Sequence, residues 1–135
     1  MNILFLHRNF PAQFRHIAPY FALNPNNRVV FITEREQGNM PGIYKCVYKT
    51  KRTVPRECHN YLRFLEESVI HGQAAAEVAL KLKHQGFKPD IIYGHTWGPT
   101  LYMKDIFPDV PLLCYFEWFY NAENSDVDFG NTEPL

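Results

Sequence analysis

Side chains that could do chemistry follow directly on two short apolar runs of the sequence, residues 3–6 and 91–93. They are His7, Arg8, Asn9, His95, Thr96 and Trp97. An imidazole can hydrogen-bond a ligand hydroxyl group or shuttle a proton. An indole ring can stack on the apolar face of a sugar, and an asparagine amide can donate to a sugar hydroxyl. The two segments therefore predict a ligand site, with His95 as the candidate catalytic residue.

Three of these side chains also have a purely structural interpretation. His95 could hydrogen-bond the local backbone, and Trp97 could pack under its own loop. Asn9 could cap the following helix or form a turn, which are common positions for asparagine. Both interpretations stay open for these three residues at the level of the sequence.

Glu117 follows a third apolar run, residues 112–116, and stands among aromatic residues. An apolar setting would raise the pKa of this carboxyl group and could make it a proton-transfer group. Alternatively, Glu117 could form a salt bridge with Arg8 across the site. We predict that Glu117 lines the same cleft as His95.

Several kinds of site are not indicated. The loop after residues 3–6 has no glycine-rich phosphate fingerprint. The cysteines, Cys46, Cys58 and Cys114, are far apart, so we expect reduced, buried thiols and no metal site. Four histidines fall in predicted helices, where surface or packing roles are expected: His16, His59, His71 and His84. The basic residues between 45 and 56 indicate a solvated loop, with contact to a phosphate-bearing acceptor as the alternative.

The elements that must position these residues alternate between strands and helices. Strands are predicted at residues 3–6, 28–33, 44–48, 91–93 and 112–116. Helices are predicted at residues 12–23, 57–85 and 99–106, and Pro19 should kink the first or delay its regular part to about Ala18. Residues at spacings of three and four should form one apolar face of the long helix: Cys58, Tyr61, Leu62, Leu65, Val69, Gly72, Ala76, Ala79 and Leu80.

This alternation predicts an α/β, Rossmann-like, three-layer domain with a parallel sheet of about five strands in the order 3-2-1-4-5. The order reverses between strands 1 and 4, and ligands bind at such a switch point, outside the carboxyl ends of the strands. The loops 7–9 and 95–97 should meet there, beside Glu117. We expect residues 1–135 to form one domain that ends in an irregular tail, residues 121–135.

The balance of charged residues limits the partners that are expected for this chain. With 14 basic and 14 acidic residues the net charge is zero, so nucleic acid is not an expected partner and membrane association is not indicated. No run approaches the ~20 apolar residues that cross a bilayer, and no signal peptide is recognised. We expect a cytoplasmic protein.

Three stretches of the chain resemble a group within glycosyltransferase family 4. They are residues 3–16 (ILFLHRNFPAQFRH), residues 88–101 (KPDIIYGHTWGPTL) and residues 104–120 (KDIFPDVPLLCYFEWFY). The resemblance implies a GT-B enzyme, in which two Rossmann-like domains face a cleft. This chain is similar to the N-terminal domain, which binds the acceptor, here a sugar or a glycolipid or glycan precursor.

The resemblance also implies what the complete enzyme does. It would transfer a hexosyl group from a nucleotide sugar with retention of configuration and without a metal ion. The donor would bind a missing C-terminal domain, so the chain would hold no cofactor, would be an incomplete domain, and would be inactive alone. His95 matches the position where such enzymes place a histidine near the reacting centre. The first loop departs from the family's glycine-rich pattern, and Glu117 stands where many members have histidine, so no catalytic role is transferred to it.

An alternative function belongs to a different class. The chain could be a non-catalytic binding module that self-associates as a homodimer through an exposed sheet edge and through the aromatic residues 118–120.

Overall fold

A computed structural model describes residues 1–117 of the chain. The strands are β1 Asn2–Leu6, β2 Arg28–Thr33, β3 Ile43–Val47, β4 Ile91–His95 and β5 Leu112–Tyr115. The α-helices are α1 Ile17–Ala22, α2 Asn60–His84 and α3 Met103–Ile106, and a 3-10 turn spans Ala12–Phe14. The predicted tail, residues 121–135, and the aromatic residues 118–120 lie outside the described residues.

The five strands form one parallel sheet in the order β3-β2-β1-β4-β5, which confirms the predicted fold and strand order. β1 lies in the centre, where Leu6 pairs with Ile32 of β2 and with Gly94 of β4. Continuous apolar runs such as residues 3–6 favour this position because both faces of a central parallel strand are covered.

Two cores cover the two faces of the sheet, as a three-layer domain requires. Leu4, Leu6 and Ile32 pack against α2 and α3, whereas Ile3, Phe5 and Phe31 pack against Phe14 and the α1 side. The alternation arises because successive side chains of a strand point to opposite faces. Within residues 1–117, no helix has the length and apolar character of a membrane span.

The predicted helix at residues 12–23 is divided in two. A 3-10 turn precedes α1, and α1 begins at Ile17, near the predicted delayed start at Ala18. Pro19 lies in the first turn of α1, where no intrahelical partner is needed for the missing N–H.

Two predicted boundaries around β4 are wrong. β4 continues through His95, because Gly94 and His95 pair with Cys114 and Tyr115 of β5. The helix predicted at residues 99–106 is reduced to the four residues of α3. Turns occupy the segment before it, where the Thr100 hydroxyl donates to the Thr96 carbonyl at 2.6 Å.

The predicted apolar face of α2 is only partly right. Gly72 and Ala79 are buried as predicted, but Leu80 is exposed, and Ala75 and Leu82 are buried instead. The first half is different, because Tyr61 is 89% exposed and three further apolar residues, Leu62, Phe64 and Leu65, are also exposed. The helix therefore extends past the part of the sheet that could cover it. The three cysteines are free, as predicted, but half-buried rather than buried.

Candidate functional site

The loops after β1 and β4 meet as predicted. The rings of His7 and His95 lie 4.2 Å apart between centroids, with an interplanar angle of 31°. A second ring pair lies two residues earlier on the same strands: Phe5 is paired with Tyr93 in the sheet, and the two rings stack at 5.1 Å. Period-2 alternation then puts His7 and His95 on the same face of the sheet, the α1 side.

His7 is held in one tautomer. Its Nδ1 accepts a hydrogen bond from the Asn9 backbone N–H at 2.8 Å, so Nε2 carries the proton of the neutral ring. Nε2 lies 2.7 Å from Oε1 of Gln13 and donates to it. Burial, together with the neighbouring His95, lowers the pKa of His7 to about 4. His7 is therefore a neutral, oriented hydrogen-bonding group at neutral pH.

His95 is the less constrained of the two imidazoles. Its side chain is 14% exposed, and its ring also stacks on Tyr115 at 5.9 Å. Nε2 lies 3.3 Å from Oε1 of Glu117, which is within ion-pair distance, but residues 1–117 offer this buried nitrogen no well-aligned hydrogen bond. Among the buried side-chain atoms of residues 1–117, Nε2 of His95 is thus the one with spare hydrogen-bonding capacity.

Glu117 lies beside His95, but the apolar surroundings expected from the sequence are wrong. The side chain is 52% exposed, because β5 is the last strand of the described sheet and leaves the carboxylate open to water. The carboxylate accepts a hydrogen bond from the Gln13 amide nitrogen. It does not pair with Arg8, which instead contacts Glu34 at 3.6 Å and Glu67 at 3.1 Å.

The remaining predicted residues line the rim. Trp97 is 54% exposed and contacts the Phe64 ring at 5.9 Å between centroids, so it does not pack under its loop. Asn9 is exposed and caps neither the 3-10 turn nor α1, whose N-caps are Pro11 and His16.

Backbone strain occurs in both loops of the site. Ala12 has φ +46° and Thr96 has φ +50°, in the left-handed region that non-glycine residues rarely adopt. Such conformations cost ~1–3 kcal/mol and cluster where a protein holds functional groups in place. The strain at Thr96 directly follows His95.

Two cavities flank the pair of imidazoles. The smaller, about 260 Å³, is lined by His7, Arg8, Asn9, Glu34, His95, Thr96 and Trp97. The larger, about 670 Å³, is lined by His7, Asn9, Ala12, Gln13, Arg15, His16, His95 and Tyr115. Donors, acceptors and one exposed indole face the smaller cavity, which suits a ligand that carries several hydroxyl groups.

The sequence did not point to Gln13, Glu34 or Glu67 as members of the site. Glu34 directly follows β2, so its place at the carboxyl edge of the sheet could have been found from the strand prediction. Gln13 and Glu67 gave no such signal. Gln13 lies in the 3-10 turn, and Glu67 reaches Arg8 from the first third of α2.

Several charged or titratable groups beyond the pair of imidazoles also have partners. His71 is buried, lies 3.1 Å from the Tyr48 hydroxyl through Nδ1, and is a packing residue as predicted. A cavity of about 480 Å³ between β3 and α2 is lined by the Lys49–Glu36 ion pair, at 2.7 Å. Lys51 similarly pairs with Glu77 at 2.6 Å. Residues 1–117 contain no group of three or more potential metal ligands.

Comparison with known proteins agrees with this architecture. A model of the glycosyl transferase family 4 group matches residues 25–135. The apo structure of UGT2 from Phytolacca americana matches with a TM-score of 0.55 and 10% identity over 85% of this chain. UGT2 complexed with UDP-2-fluoro-glucose and pterostilbene matches with a TM-score of 0.54 and 11% identity, again over 85% of this chain. At these identities the likeness concerns the fold.

The chain spans 29% and 30% of the lengths of those two structures. A search of curated proteins gives no significant match.

Proposed function

Because the chain belongs to the glycosyl transferase family 4 group, we propose that it is the acceptor-binding domain of a retaining glycosyltransferase that uses a nucleotide sugar. The observation that carries the proposal is the pair of imidazoles, 4.2 Å apart, at the switch point of the sheet. The acceptor is a sugar, or a glycolipid or glycan precursor, with a hydroxyl group at the point of attack.

The smaller cavity is the proposed acceptor site. Trp97 offers an exposed ring face for the apolar side of a sugar, and Arg8, Asn9 and Thr96 border the same cavity. His95 supplies the spare nitrogen that hydrogen-bonds the acceptor hydroxyl near the reacting centre, with Glu117 beside it. His7 supports the ring of His95 from one side.

The nucleotide-sugar donor binds mainly to a second Rossmann-like domain, which residues outside this chain provide. Two observations support this division: the chain covers less than a third of the matched structures, and its first loop has no glycine-rich phosphate motif. Residues 1–135 alone therefore bind acceptor without transferring sugar, and they require no cofactor of their own. A cytoplasmic location fits the use of a nucleotide sugar.

The test is a donor screen with the complete protein, including any residues beyond Leu135. We expect transfer to, or hydrolysis from, at least one common nucleotide sugar, and retention of anomeric configuration in the product. Absence of both turnover and donor binding across the common donors would contradict the proposal. Residues 1–135 alone serve as the matched comparison and should show no turnover.

His95→Ala is the first variant to measure in the complete protein. It should lower kcat/KM by about 10²-fold or more, the usual size of a lost proton-transfer or orienting group. His84→Ala is the control, since His84 is exposed at the end of α2. Equal activity of both variants would reduce His95 to a residue that only supports its loop.

A second proposed function is self-association of the chain as a homodimer. β5 is the last strand of the described sheet, and Leu113 and Tyr115 on it are exposed, as is Phe116. Within residues 1–117 no further strand pairs with this edge, and a parallel edge with apolar side chains favours pairing with another copy.

A further inference from the structure

We propose that Gln13 is a positioning residue that holds the Glu117 carboxylate against His95. Gln13 contacts both partners: its carbonyl oxygen accepts from His7, and its amide nitrogen donates to Glu117. The role of His95 that Gln13 would support rests on the proposed function, but the contacts themselves do not.

The direction of every hydrogen bond in this chain of contacts is determined. The Asn9 backbone N–H can only donate, so Nδ1 of His7 accepts and Nε2 must carry the proton. Nε2–H then requires the oxygen of the Gln13 amide, at 2.7 Å, which turns the amide nitrogen toward Glu117. A backbone group therefore fixes the orientation of the Gln13 side chain through His7.

The oriented amide of Gln13 restricts the conformation of the Glu117 side chain. Half of its side chain is exposed, so without a partner the carboxylate would be free to move through several rotamers in water. Gln13 donates to Oε1, the same oxygen that lies 3.3 Å from Nε2 of His95. One donor thus selects the conformer in which Glu117 faces the imidazole.

A neutral amide suits this position better than a charged side chain would. A cation at residue 13 would compete with His95 for the carboxylate, and an anion would repel it. Glutamine alone, among residues of this length, accepts from His7 and donates to Glu117 at the same time. The 3-10 turn Ala12–Phe14 places it there, and Phe14 of the same turn is buried against Phe5 at 5.2 Å.

The experiment follows the ring resonances of His95 and His7 by NMR in the 135-residue chain. Wild-type His7 should be the Nε2–H tautomer at pH 7. Gln13→Leu and Glu117→Gln should each shift the His95 ring signals, and the double variant should shift them no further than the larger single change, because coupled residues are not additive. Gln73→Leu, on the exposed side of α2, is the control.

Exchanging the glutamine and the glutamate between positions 13 and 117 should restore the wild-type environment of His95. Gln13→Glu alone should disturb His95, because it places two carboxylates side by side. Gln13→Glu combined with Glu117→Gln restores an acceptor for His7 and a donor–acceptor contact between residues 13 and 117. The wild-type His95 signals should then largely return, which also keeps the test valid if Gln13→Leu misfolds.

Unchanged His95 signals in Gln13→Leu, with a clear shift in Glu117→Gln, would overturn the role of Gln13. So would failure of the swapped pair to restore them. In the complete protein, Gln13→Leu should lower kcat/KM by about 10-fold with restoration in the swapped pair. Failure of the donor screen would leave the NMR result standing, so the two proposals fail separately.

Discussion

At the scale of residues, the site depends on how two imidazoles differ. His7 is 6% exposed and has two hydrogen-bond partners, whereas Nε2 of His95 has the loose contact with Glu117. The sequence placed both histidines in one site, but it did not indicate which one would be free. That difference arises because Asn9 and Gln13 hydrogen-bond the two ring nitrogens of His7 and make no such bonds to His95.

The pH dependence of stability follows from His7. Its pKa is lowered from 6.5 to about 4 in the folded chain, so the unfolded chain takes up the proton first as the pH falls. Stability contributed by neutral His7 is therefore present above pH ~6.5 and is lost progressively toward pH ~4. Between pH 7 and pH 5 the loss should be about 2 kcal/mol.

Urea unfolding of the wild-type chain and of His7→Asn at the two pH values measures this contribution. The variant is less stable at both, but its free energy of unfolding should fall by about 2 kcal/mol less between pH 7 and pH 5. His71, whose pKa is also lowered by burial, titrates in both proteins and cancels in the difference. Parallel pH profiles would show that His7 is not the group responsible.

At the scale of elements, β4 and the turn after it are fitted tightly together. A Cβ atom on Gly94 would lie 2.0 Å from Cγ2 of Thr100. Thr100 cannot easily rotate away, because it is buried and its hydroxyl donates to the Thr96 carbonyl. The missing side chain at Gly94 therefore lets the turn close directly over the end of β4.

Gly94→Ala should therefore destabilise the chain by about 1–3 kcal/mol, the usual cost of overpacking. Thr100→Ser removes the clashing methyl group and keeps the hydroxyl. The double variant Gly94→Ala/Thr100→Ser should be more stable than Gly94→Ala, although Thr100→Ser alone destabilises. Thermal unfolding of the wild type, the two single variants and the double variant measures this coupling. If the destabilisation of the double variant equals the sum of the two single destabilisations, the proposed contact is refuted.

At the scale of the whole molecule, the described sheet ends at β5 with apolar side chains in water. Leu113 is exposed and faces the same side as Tyr115, since the two are separated by one residue of the strand. The opposite edge, β3, also has an exposed aromatic residue, Tyr44, but the charged side chain of Lys45 stands beside it. If copies of the chain pair, the β5 edge is the one we expect them to use.

Sedimentation velocity at the highest soluble concentration measures this pairing. The wild-type chain should sediment as a dimer, and Leu113→Lys should sediment as a monomer because a lysine on an edge strand opposes pairing. Tyr44→Lys at the other edge is the matched control and should remain dimeric. A wild-type chain that stays monomeric would remove self-association as a function.

The sequence by itself determined the family and the strand order, and it located the candidate site at the carboxyl edge of the sheet. Continuous apolar runs, alternation with helices and the right-handed crossover rule leave few topologies, and 3-2-1-4-5 is confirmed. The resemblance to glycosyltransferase family 4 is confirmed by the match over residues 25–135. These properties are local or topological, so periodicity and motif order are sufficient to reveal them.

Only the tertiary structure decided the contacts within the site. The register of β1 against β4 stacks His7 on His95, and the irregular turn after β1 brings Gln13 between His7 and Glu117. The apolar setting expected for Glu117 was wrong, and the alternative salt bridge between Glu117 and Arg8 does not form, for the same reason. Each of these contacts depends on side chains that are distant in sequence and compete for a few hydrogen-bonding atoms. Hydrophobic periodicity contains no information about that competition.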